Sequence, residues 1–145
     1  FADITDLRPA DRIRAGQSNF VYVRGFNGSR VTQNILVDVH FVPYATLADA
    51  STWQQVDGAT STRQLIDVPP GGRDITAVIE WQAADIPDPA PGLTHKTMIM
   101  IALLGNAGDP MPDPSGIRSL SEFWAFFRAA ENANNACFRA MIYEP

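Results

Sequence analysis

The chain has 145 residues, of which 46% are hydrophobic and 19% charged, a balance that excludes disordered and coiled-coil classes and fits one folded domain. Its net charge of −5, with Lys96 as the sole lysine and the arginines scattered singly, excludes a phosphate-backbone partner, whose affinity is drawn from clustered positive charge. Cys137 stands alone, so no intrachain disulfide can form and the core must carry the stability.

Segments rich in β-branched and aromatic side chains recur between clusters of Gly, Pro, Asn and Asp, the spacing of an all-β sandwich. Phe1 to Asp6 is a candidate edge strand, ended by Arg8-Pro9 because proline cannot donate to a ladder. Asn19 to Phe26 follows and stops at the turn signal Asn27-Gly28. From Gln33 to Val42, Ile35, Val37, Val39 and Phe41 alternate with Asn34, Asp38 and His40, which predicts a strand with one buried face. The period is lost between Tyr44 and Gly58, where Leu47, Trp53 and Val56 are spaced to plug back onto the core. Arg63 to Val68 is a shorter strand closed by Pro69-Pro70-Gly71-Gly72, and Arg73 to Trp81 is the next.

The stretch Gln82 to Thr94, with Pro87, Pro89 and Pro91, reads as a surface loop. His95 to Leu104 then carries hydrophobic residues on both faces, as a central strand covered on both sides does. Its run from Met98 to Leu104 is far short of the ~20 residues a membrane-spanning helix needs. The second cover is expected from a helix over Leu120 to Glu131. Ser119 and Glu122 form a capping box there, and Leu120, Phe123, Trp124 and Phe127 make one broad apolar stripe. Ala136 to Tyr143 is the last strand. The expected fold is therefore an all-β, immunoglobulin-like antiparallel β-sandwich of about seven strands with one helix before the last strand. It spans 1–145 as a single domain, and Phe in first position suggests a processed or excised part of a larger protein.

Three stretches carry a family resemblance: Asn19-Phe20-Val21-Tyr22-Val23-Arg24-Gly25-Phe26-Asn27-Gly28-Ser29, Asn34-Ile35-Leu36-Val37-Asp38-Val39-His40-Phe41, and Pro69-Pro70-Gly71-Gly72 before a strand ending in Trp81. Together they resemble bacterial cell-adhesion-related (CARDB-type) and fibronectin-like sandwich domains, over roughly Asn19 to Leu104. The resemblance implies an accessory domain of a secreted or surface protein, and extracellular placement follows from it alone. The proline-rich loop, the loop Gly108 to Pro114 and the aromatic helix are elaborations beyond a minimal sandwich.

Candidate chemistry is sparse, and no catalytic set is expected. His40 and His95 are the only histidines, and no Gly-x-Ser-x-Gly elbow occurs. Asp109 and Asp113 share a proline-rich loop whose free carbonyls suit calcium, although the spacing departs from the calcium-loop consensus; a solvated turn is the competing reading. Tyr22, Tyr44 and Trp53 fall outside the core phase or in the long loop and could form a platform for a polysaccharide. Phe126 falls off the stripe that holds Trp124 and Phe127, so these three give the helix a wide apolar arc, which either its own sandwich or a neighbouring domain or subunit must cover. The leading expectation is a non-catalytic domain mediating protein–protein or interdomain contacts, with a carbohydrate-binding module as the alternative.

Overall fold

Residues 11–56, 63–75, 79–93, 96–129, 131–132 and 135–145 are described by a computed structural model. In chain order the strands are β1 (Asp11–Arg14), β2 (Asn19–Val21), β3 (Arg24–Phe26), β4 (Gln33–Pro43), β5 (Gln54–Gln55), β6 (Arg63–Val68), β7 (Arg73–Ile75), β8 (Ile79–Trp81), β9 (Thr97–Gly105) and β10 (Ala136–Glu144), with helix α1 (Leu120–Arg128) between the last two.

Strands β4 and β9 form the centre, paired antiparallel from Leu36↔Gly105 to Pro43↔Met98. Strand β10 adds antiparallel to the far side of β9, and β1 pairs parallel with β10. The other edge of β4 is shared, with β6 along its first half and β5 along its second. Because side chains alternate across a strand, the β4–β9 pair buries two sets of residues. Ile35, Val37, Val39 and Phe41 join Met98, Met100 and Ala102 on one face. Val42 joins Ile99, Ile101 and Leu103 on the other.

Each face has its own cover. On the first lie the pairs β2–β8 and β3–β7, whose inward residues Val21, Val23, Ile79 and Trp81 pack onto the sheet, with Trp81 stacked at 4.5 Å from the Phe41 ring. On the second lie α1 and short 3-10 turns, which bring Phe123, Phe127, Leu47, Trp53 and Ile117 onto the apolar surface. Full burial of side chains this size stabilises by about 1.5–3 kcal/mol each. The apolar run at Met98 to Leu104 is thus covered on both sides, and the helix supplies the second cover.

The sheet is mixed where an antiparallel sandwich was expected, because β1 runs parallel to β10. Asp11–Arg14 offers no periodic signal: Ile13 is its one apolar residue, and it is 1% exposed. The Asn19 to Phe26 strand is broken at Tyr22-Val23. Its pairing moves from Val21↔Ile79 to Arg24↔Ile75, a register slip of one residue as at a bulge. The Tyr44 to Gly58 stretch holds two 3-10 turns and β5 within its described part. The Phe1 to Asp6 strand and His95 lie outside the described residues.

Helix α1 starts as the capping pattern predicts, with Ser119 Oγ accepting the Glu122 amide at 3.3 Å. The Glu122 carboxylate reaches back across the cap, accepting most strongly from the Arg118 amide at 2.8 Å and also from the Ser119 backbone. The helix ends at Arg128, before the expected Glu131, where Ala129 turns to extended backbone and the Asn132 side chain donates to the Phe126 carbonyl at 3.0 Å.

Candidate functional site

The aromatic residues singled out in the sequence divide between core and surface. Phe127 is 1% exposed and packs with Phe123 against Phe138 of β10, so it is a core residue and not an interface residue. Trp124 and Phe126 are half-buried at its flanks. Trp124 sits edge-on to Phe123 and Phe138, and the Arg128 guanidinium lies over its ring at 5.5 Å. The wide apolar arc of the helix has a local cause, since α1 lies in a trough between Phe138 and the Trp53 turn.

Trp53 is likewise withdrawn from the surface. Its ring is buried against Phe123, and its Nε1 donates to the Leu47 carbonyl at 3.1 Å. Tyr44 remains exposed at the end of β4, and Tyr22 is exposed in the opposite layer. Tyr22 and Trp53 therefore lie on opposite sides of the main sheet, and the three residues do not form one platform.

The acidic loop is organised by its own hydrogen bonds. Asp113 accepts the Ser115 amide at 2.9 Å and caps the turn Pro114–Gly116, and this bond holds its carboxyl below the usual range. The amide of Asp109 donates to Asn106 Oδ1 at 2.9 Å. Among the described residues no three His, Cys, Asp or Glu side chains gather into a metal-binding group.

His40 and Asp38 meet on the helix side of β4, Nε2 to Oδ2 at 2.9 Å, with Gln55 donating to the other Asp38 oxygen. Burial pushes the His40 pKa below its ordinary value, with Asp38 pulling the other way. Its Nδ1 is buried without a hydrogen-bond partner among the described residues, an arrangement that costs on the order of 1–3 kcal/mol. Cys137 exposes part of its surface, yet the surrounding strands desolvate the sulfur and push its pKa up, which keeps it a thiol at neutral pH.

Two features go beyond the sequence reading, although Tyr22 of the first was already placed outside the core phase. The first is an outward row on β2 and β3. Phe20, Tyr22 and Phe26 are 55%, 61% and 58% exposed, with Arg24 also outward, while Val23 and Gly25 turn inward. Alternation against Val21 and Val23 had set Tyr22 outside the core phase, but the outward positions are as apolar as the inward ones, so polarity did not mark Phe20 and Phe26 as outward. A cleft of about 570 Å³ runs beneath Phe20 and Tyr22, with Met100 and Ala102 on its floor and Cys137 in its wall.

The second feature is a cleft of about 780 Å³ at the end where β3 and β9 finish and β4 and β10 begin. Loop residues Ser29 and Asp109 line it beside Arg24, Phe26 and Gln33. Asn135 also lines it; this residue is 5% exposed, and its side-chain nitrogen is buried without a partner among the described residues. The turn Asn27–Ser29 is held rigidly, since the buried Asn27 amide donates to the Val31 and Val68 carbonyls at 2.8 and 2.7 Å. No protein-family model matches the chain, and no curated protein is similar to it in sequence.

Proposed function

We propose that this chain is a non-catalytic, immunoglobulin-like accessory domain that mediates protein–protein or interdomain contacts in a bacterial secreted or surface protein. The observation that carries the reading is the outward row Phe20, Tyr22 and Phe26. Aromatic side chains bury large areas at small entropic cost, and they are enriched where partners dock. At ~3.3 Å rise per residue, Phe20 to Phe26 spans about 20 Å, a fair share of a standard interface. The covered sheet beneath makes the row rigid, because Val21 and Val23 are anchored in the core. Two strand layers packed across Phe41 and Trp81 support the sandwich assignment, as does the resemblance carried by Asn19 to Ser29.

The test places a photo-crosslinking amino acid at position 22, with position 44 as an exposed control, in cells that make the protein. A discrete adduct is expected from position 22 and not from 44, and Phe20→Ser is expected to abolish it with the thermal midpoint unchanged. Equal adducts from both positions, or an adduct indifferent to Phe20→Ser, would defeat the proposal.

A further inference from the structure

The geometry points to a second site, which shares Arg24 and Phe26 with the outward row: we propose that the cleft at the loop end of the sandwich binds a neutral saccharide unit. The connections between β3 and β4 and after β9 converge there beside Asn135 and the start of β10. Loops held by a rigid scaffold are where binding groups concentrate. The frame is tight, for the Cβ of an alanine at Gly105 would fall 2.3 Å from the Met111 backbone nitrogen.

The lining chooses the ligand class. Arg24 and Asp109 bring opposite charges to one cleft, and neither has an ion-pair partner among the described residues. An anion entering the cleft would meet Asp109, and a metal cation would meet Arg24. A wholly apolar ligand would desolvate Arg24, Gln33 and Asp109 without pairing them. A sugar hydroxyl both donates and accepts, so guanidinium, carboxylate and amide groups can all be satisfied by one polyol. Phe26 supplies the ring on which the apolar face of a pyranose can lie. The volume of about 780 Å³ is within the range of small-molecule sites and takes one to two sugar rings.

The experiment is a titration of the whole chain with cello-, xylo-, chito- and maltohexaose, followed by amide chemical shifts. One of the four is expected to shift residues 27–29 and 104–109 saturably. Arg24→Ala and Asp109→Ala, both at exposed positions, are each expected to weaken that binding roughly tenfold, the loss of about one hydrogen bond to a charged group, without altering the thermal midpoint. Glycine betaine is the zwitterionic control. The proposal fails if all four sugars leave these amides unmoved, if the shifts fall on Phe20 and Tyr22 instead, or if betaine moves the same amides. The crosslinking result at position 22 bears on none of these outcomes.

Discussion

Gly105 ends β9 where the chain doubles back under Met111, and its role is contact, since a Cβ there would overlap the Met111 backbone. Gly105→Ala must displace the loop 106–117, which we expect to cost about 1–3 kcal/mol in chemical denaturation. A loss below about 0.5 kcal/mol would mean that the loop yields freely. Asp67 presents the opposite case: its φ of 57° is left-handed, at the point where the β4–β6 register shifts. Glycine takes that conformation without steric cost, so Asp67→Gly is expected to be neutral or stabilising by up to about 1 kcal/mol, and Asp67→Val destabilising by a similar amount. His40 sets a pH dependence. Its folded-state pKa is depressed by burial, so the unfolded chain binds the proton more readily. Stability is full above the unfolded value near 6.5 and declines as pH falls through the lower folded value. Urea midpoints at pH 7.5 and 5.5 should differ, and His40→Gln should shrink the difference; an unchanged difference would place its origin elsewhere.

At the scale of elements, β9 and α1 were the most legible parts of the chain. A strand apolar on both faces demands two covers, and the one helical stripe in the sequence could supply the second. Its cost should be uneven. Phe123, 0% exposed and touching Trp53, Trp124, Phe127 and Phe138, is expected to lose about 3–5 kcal/mol as Phe123→Ala. The half-buried Phe126 should lose about 1 kcal/mol or less on truncation. Similar losses at the two positions, read from denaturation midpoints, would contradict the packing described for the helix. Strand β1 was not legible, because what fixes it is remote: its ladder to β10 and the Arg12–Glu144 ion pair join residues far apart in sequence. The platform residues failed for a related reason. Trp53 lies in an aperiodic stretch, and whether its ring points in or out is decided by the helix that comes 67 positions later and by the Leu47 carbonyl that takes its N–H. The loop-end cleft was equally hidden, since Arg24, Asp109 and Asn135 become neighbours only once the connections after β3 and β9 meet beside the start of β10.

For the molecule as a whole, the proline-rich stretch is tied down as well as passing over the surface. Asp88 pairs with Lys96, which is 8% exposed and sits 5.4 Å over the Tyr143 ring, so the loop is strapped to the start of β9 and the end of β10. The hydrogen bond from Lys96 holds the Asp88 carboxyl below its usual range. That contribution is present above the ordinary carboxylate value near 4 and is lost as pH falls below it, a window well separated from that of His40. Asp88→Asn should leave Lys96 buried without its counter-charge and lower the thermal midpoint, while the His40 dependence between pH 7.5 and 5.5 persists.

The parallel pairing of β1 with β10 has a mechanical meaning. The chain enters the pair at Asp11 and leaves it at Glu144, opposite ends of a short ladder running Asp11↔Met141 to Arg14↔Glu144. A pull on the two flanks therefore runs along the strands and loads the ladder in shear. All of its bonds, the Ala15-to-Glu144 hydrogen bond at 2.8 Å, and the Arg12 and Arg14 contacts to Glu144 then resist together rather than opening one by one like a zip. The ladder is therefore strongest against a pull along the strands.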